Sequence, residues 1–170
     1  MKRAYGIVTG FSLIEVMVTI ALSTLVVYLL VINVSFLNRS LAIAELNRLC
    51  SVLRYLQRFA MINDKKQIIE FDEENNKYSF GGFTYRLPNS VIFGTLPGVK
   101  GPPSAPKKKI KSSITFKSSK IVFNSDGIIR PGTIYITDVD RECLYAISCS
   151  VAQVSYLRKY RYNGKWNLIS

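Results

Sequence analysis

Gly10-Phe11-Ser12-Leu13-Ile14-Glu15, running straight into Val16–Ile32, decides how the whole chain is read. A glycine and an aromatic residue precede an apolar run broken once by a carboxylate. About twenty residues dominated by Val, Leu and Ile follow, a length that spans a bilayer as a helix. Glu15 is the anomaly. An ionisable side chain in such a run costs roughly 2.5–3.5 kcal/mol to insert and marks a functional position. The competing reading is an ordinary secretory signal. That would carry an unbroken apolar core and then a small-residue cleavage site. Here the carboxylate enters near the start of the run, and no A-x-A site follows it.

Outward from this stretch, Met1–Gly10 forms a short leader with Lys2 and Arg3 near its start, the charge sign expected on the cytoplasmic side. Residues 11–36 form the membrane-spanning half of a helix. Past Asn33 and Asn38 the composition changes, but the helical period does not. Leu46, Leu49, Cys50, Leu53, Leu56 and Ala60 recur at steps of three and four, while Asn47, Ser51, Arg54 and Arg58 occupy another face. One helix from Phe11 to about Ile62 is therefore expected, roughly 75 Å long at 1.5 Å per residue. Its second half should bury the apolar stripe against the rest of residues 37–170.

After residue 62 the pattern turns to strand. Lys66–Phe71 and Lys77–Phe80 flank Asp72-Glu73-Glu74-Asn75-Asn76 and predict a hairpin. Phe83–Leu87 and Val91–Phe93 predict further strands on either side of Pro88-Asn89. Pro97–Lys111 carries three prolines besides Pro97, two glycines and Lys107–Lys109, and predicts an exposed, mobile loop. Ile114–Phe116, Lys120–Phe123, Ile128-Ile129, Thr133–Thr137, Cys143–Ser150, Val154–Tyr162 and Lys165–Ile169 complete the strands. Asn163-Gly164 supplies a hairpin signal between the last two. The expected fold class is α+β: one long N-terminal helix packed on an antiparallel β-sheet.

The chain has 170 residues, room for one domain beside the N-terminal segment, and a formal charge of +12. Removing the leader lowers that charge by two, through Lys2 and Arg3. The balance favours anionic partners: nucleic acid, lipid headgroups or an acidic subunit. There is no histidine, which excludes histidine acid–base chemistry and histidine metal ligation. Three cysteines, Cys50, Cys143 and Cys149, cannot all pair within one chain. On one continuous strand Cys143 and Cys149 would stand about 20 Å apart, too far to bridge. That leaves Cys50 with either of them, or three buried thiols.

The string GFSLIEVMVTIAL resembles the processing segment of type IV pilins and type II secretion pseudopilins. The helical Leu-Arg pattern, Val122-Phe-Asn-Ser-Asp-Gly127, Gly132-Thr-Ile-Tyr-Ile and a closing basic aromatic strand resemble the GspH/FimT-like branch of minor pilins and pseudopilins. The resemblance implies a pilin-like fold, cleavage by a prepilin peptidase between Gly10 and Phe11, and N-methylation of Phe11. It implies that Glu15 pairs with the new terminal amine of a neighbouring subunit, removing two unsatisfied charges from an apolar bundle. Pairing within one chain is the alternative. It further implies a single-pass protein of the bacterial inner membrane with an extracytoplasmic C-terminal domain. The implied partners are other pilin subunits, the peptidase, an inner-membrane assembly platform, membrane lipid and secreted cargo. The implied work is assembly initiation, or a place at the filament tip, in protein secretion. The C-terminal turn Asn163-Gly164-Lys165 lacks the acidic loop with which major pseudopilins hold calcium, and no metal or cofactor is expected.

No catalytic set assembles from the remaining residues, and an enzyme is not expected. Ser12, Ser51 and Ser125 have no histidine to activate them. Asp138, Asp140 and Glu142 offer oxygen ligands, but carboxylates on a loop more often form a solvated turn. Gly98, Gly101 and the lysines beyond match no phosphate-loop spacing. The last strands are more distinctive. Tyr156, Arg158, Tyr160 and Tyr162 share one face, Leu157, Lys159 and Arg161 the other, with Lys165 and Trp166 after the turn. Arg158, Lys159, Arg161, Lys165, Tyr160 and Tyr162 form a candidate anion or DNA site, since cations beside aromatic faces suit single-strand stacking and phosphate contact. A DNA-binding minor pilin serving natural transformation is thus the alternative function. Packing aromatics with a wet basic edge is the structural explanation of the same residues.

Overall fold

The computed structural model describes residues 11–149 and 156–169, with side chains left out of the description at 30–35. The leader and Gly10, Ser150–Ser155 and Ser170 lie outside the described residues. The chain divides into two compact units, Met1–Leu37 and Asn38–Ser170. One helix, α1 (Leu13–Ile62), runs through the division.

In the first unit, the described side chains of α1 up to Leu29 are all exposed. Thr19, Ser23 and Thr24 donate their hydroxyls to carbonyls one turn back, which satisfies polar groups inside the apolar run. Among the described residues no helix is long and apolar enough to cross a membrane.

The second unit is α+β. Leu46, Leu49, Cys50, Leu53, Leu56 and Ala60 are all buried, and Asn47, Ser51, Arg54 and Arg58 are all exposed, as the spacing predicts. The helix ends without glycine. Asp64 takes φ 48°, the Lys65 N–H donates to the Ala60 carbonyl at 3.2 Å, and Asn63 Nδ2 donates to the Phe59 carbonyl at 3.0 Å. That closure satisfies terminal carbonyls with a left-handed residue that Asp tolerates.

Two antiparallel sheets follow, where the sequence pattern predicted one. Sheet A has the order β3-β2-β1-β5, with β1 Gln67–Asp72, β2 Lys77–Phe80, β3 Phe83–Arg86 and β5 Lys120–Phe123. Sheet B has the order β4-β6-β7-β8-β9, with β4 Val91–Phe93, β6 Gly132–Asp138, β7 Leu144–Cys149, β8 Leu157–Asn163 and β9 Lys165–Ile169. Pro88, which has no N–H to donate, stands where the chain leaves β3 for the other sheet. The β1–β2 turn is held by Asp72, which accepts from the backbone N–H and the side-chain amide of Asn75 and pairs with Lys77 at 3.2 Å. Gly81 and Gly82 both take positive φ between β2 and β3, the two-glycine turn whose twist suits a tight hairpin.

Two predicted strands are shorter in the fold. Ile114–Phe116 contributes one bridge, Ile114 to Ile134, and Ile128-Ile129 one bridge, Phe123 to Ile129. Both lie where the chain passes between sheets, so neither has room for a full ladder.

The α1 stripe packs on both sheets in one core with Ile69, Tyr78, Phe123, Ile134, Ile136 and Tyr145. A second apolar cluster covers the opposite face of sheet B. There Tyr135, Leu144 and Ala146 lie beneath Leu96, Val99 and Ile110, beside Tyr160, Tyr162 and Trp166. β6 and β7 are consequently buried on both faces, which is why they read as continuous rather than alternating apolar runs.

The 97–111 loop is mostly exposed, as expected, but it is anchored at one point. Its lysine-bearing tip is exposed, but Gly101 is buried. The Gly101 N–H donates to the Lys108 carbonyl at 2.8 Å, and Trp166 Nε1 donates to the Lys100 carbonyl at 2.9 Å. Apolar residues within and beside the loop cover the second cluster, so it is pinned to the sheet.

Candidate functional site

At the start of α1, Phe11 is 86% exposed. Ser12 is the residue before the first helical position. Its N–H donates to Glu15 Oε2 at 2.9 Å, and its hydroxyl accepts from the Glu15 N–H at 3.2 Å. This reciprocal closure satisfies two of the helix's unpaired N–H groups and places a carboxylate at the positive end of the helix dipole. Glu15 is exposed and retains its other oxygen. Ser-x-x-Glu ahead of an apolar run is itself a helix-start signal. The spacing is legible in the sequence itself. Gly10, the other half of the proposed cleavage position, lies outside the described residues.

The six residues of the candidate anion or DNA site do not form one surface. Arg158, Tyr160 and Tyr162 pair across β7 with Ser148, Ala146 and Leu144, on the outer face of sheet B. Lys159, Arg161 and Lys165 lie on the other face, opposite Ile169, Asn167 and Asn163 of the hairpin. Lys159 Nζ donates to Asn47 Oδ1 of α1 at 2.8 Å. Tyr162 meets Trp166 edge-on, with ring centroids 5.2 Å apart, and Trp166 lies 5.8 Å from Tyr135. Both tyrosines are half-buried packing partners of the second cluster. β8 is also hydrogen-bonded on both sides, by β7 and β9, so its backbone offers no free edge.

The acidic segment is a capped turn. Asp138 is buried, and its Oδ1 accepts from the N–H groups of Glu142 at 2.9 Å and Cys143 at 3.1 Å. Asp140 accepts from Asn38 Nδ2 at 2.9 Å. Among the described residues no group of three or more His, Cys, Asp or Glu is placed to hold a metal. Cys50, Cys143 and Cys149 are all buried thiols. Burial pushes the Cys143 pKa up to about 11 and raises that of Cys50, where Arg54 and Lys159 pull the other way.

Sequence reasoning did not anticipate a cleft of about 610 Å³ between the 101–112 segment and the outer face of sheet B. Lys108, Lys109 and Lys111 line its rim, and Thr133, Tyr135 and Ser148 line the sheet side. Tyr135 is fully buried, with its hydroxyl sealed from the cleft. Burial pushes its pKa up to about 12, with a weaker opposing effect from hydrogen bonding to the Thr133 side chain, so the phenol stays protonated at neutral pH. The lysines were visible in the sequence. The hydroxyls come from strands that only the fold sets beside them.

Comparison with family models, curated proteins and solved structures gives no match for this chain.

Proposed function

We propose that this protein is a filament subunit of the type IV pilin and type II secretion pseudopilin kind, a minor member of the GspH/FimT-like branch. It is processed between Gly10 and Phe11 and held in the inner membrane by residues 11–36. One observation carries the reading: α1 begins immediately after the Gly10-Phe11 motif and continues unbroken from Leu13 to Ile62, exposed and apolar in its described N-terminal part. Its later turns are amphipathic and enter the core of a separate unit. An exposed apolar helical segment is unstable in water and demands lipid or like helices.

In this reading the work is non-covalent. Glu15 meets the positive amine created on Phe11 of a neighbouring subunit, and a register that misses the pair leaves two charges stranded in an apolar bundle. The domain, residues 37–170, provides contacts for assembly initiation or for the filament tip, on the extracytoplasmic side. Intact-mass measurement of the protein extracted from membranes tests the reading. A chain beginning at methylated Phe11 is expected. A chain beginning at Met1, or cut beyond residue 30, overturns it.

The second reading, DNA capture by the basic C-terminal strands, has the charge of Arg158, Lys159, Arg161 and Lys165 in its favour. The division of these residues between two faces, and the packing of Tyr160 and Tyr162, weigh against a continuous stacking surface.

A further inference from the structure

We propose that the cleft between the 101–112 segment and the outer face of sheet B binds a compact phosphorylated small molecule, with Lys108, Lys109 and Lys111 neutralising the phosphate. The inference stands apart from the filament reading and involves neither α1 nor the basic strand β8.

The cleft is built rather than incidental. On one side the Thr115 N–H donates to the Thr133 carbonyl at 2.9 Å and the Tyr135 N–H to the Ser113 carbonyl at 2.8 Å, fixing residues 113–115 along β6. On the other side the loop is tied by Trp166 to the Lys100 carbonyl. Gly101, at φ +126°, lies so close to the indole that a Cβ there would fall inside it. Both walls are therefore fixed by contacts internal to the protein. Pre-formed walls of this kind, and a volume within the roughly 300–1,000 Å³ of small-molecule sites, favour a compact ligand over a strand or a duplex.

The lining chooses the charge. Among the described residues, three cations and no carboxylate line the cleft. Glu73, which does not line the cleft, accepts from the hydroxyls of Ser112, Ser113 and Ser119. Thr133 and Ser148 face each other across β6 and β7, with hydroxyl oxygens 3.5 Å apart. Lysine ammoniums bind phosphate as point charges and need no bidentate geometry.

The test is titration of the full chain in a nonionic detergent with inorganic phosphate, glucose 6-phosphate and glucose, followed by amide NMR shifts and calorimetry. Saturable binding of both phosphates is expected, with shifts at 108–112 and 132–135, and none with glucose. Replacing Lys108, Lys109 and Lys111 with Gln should weaken binding by about tenfold or more. Tyr135→Phe should leave affinity unchanged, because the hydroxyl is sealed within the second cluster. Two results overturn the proposal. One is the absence of saturable binding. The other is an equal loss when Lys107, Lys117 and Lys120 are replaced instead, which would assign the effect to diffuse charge.

Discussion

Ser12 and Glu15 close on each other at the first turn of α1: the serine N–H meets the carboxylate at 2.9 Å, and the serine hydroxyl receives the Glu15 N–H. A carboxylate proposed to serve a neighbouring subunit thus already has a task within its own chain. The two tasks separate by substitution. Glutamine supports the same closure without charge. Glu15→Gln should therefore keep the helix start and lose subunit pairing, whereas Glu15→Ala should lose both. Crosslinking to other filament subunits and hydrogen exchange at residues 12–16 read the two effects independently. Unchanged crosslinking in both variants would remove Glu15 from assembly.

A chain beginning near Leu37 should fold by itself, since among the described residues the core of the second unit draws on α1 from Ala42 onward. Circular dichroism should show both helix and strand. Within it, Leu53→Ala should cost about 2–5 kcal/mol in urea unfolding, because Leu53 is fully buried between helix and sheets. Arg54→Ala, one position on and exposed, should change stability by less than about 0.5 kcal/mol. Comparable losses at the two positions would mean the helix faces are wrongly assigned.

Alkaline pH should destabilise this domain. Burial raises Cys143 to about 11, and Tyr78 and Tyr135 to about 12, above their unfolded values near 9 and 10. A raised folded pKa means the folded state holds the proton longer. Its stabilising effect is complete below the unfolded pKa and is lost as pH rises through the folded one. The urea midpoint should be level between pH 7 and about 8.5, then fall from about 9 to 11. Cys143→Ala should flatten the early part of that fall. Rapid alkylation of Cys143 in the native protein at pH 8 would contradict its burial.

DNA binding, if present, should follow total charge. Replacing Arg158, Lys159, Arg161 and Lys165 with Gln, and separately Lys107, Lys108 and Lys109, should weaken binding of the soluble domain to a similar modest degree. Both should flatten the salt dependence, by about one unit of slope for each phosphate no longer neutralised. The reason is that the strand cations are divided between two faces and the aromatic rings are engaged in packing. A loss confined to the strand variant would instead identify a dedicated site. Tyr160→Ala should act mainly by loosening the second cluster, seen as easier unfolding with little change in DNA affinity.

Much of the architecture was legible from local pattern. The three-and-four spacing from Leu46 to Ala60 identified the buried face of α1, because one face of a helix repeats regardless of what covers it. Asp72–Asn76 and Asn163-Gly164 marked hairpins because their residue types stabilise turns locally, and the observed strands flank both. The Gly10–Glu15 stretch carried the family resemblance, to which the fold adds a helix unbroken from Leu13 to Ile62. Tertiary structure alone decided how strands distant in sequence were sorted. Whether β4 joins β3 or β6 depends on pairing between residues more than forty positions apart, which no periodicity records. The same long-range sorting set Trp166 against Lys100, turned an expected mobile loop into one wall of a cleft, and divided six candidate residues between two faces. Side-chain alternation assigns faces along one strand, but only the assembled sheet determines what each face meets.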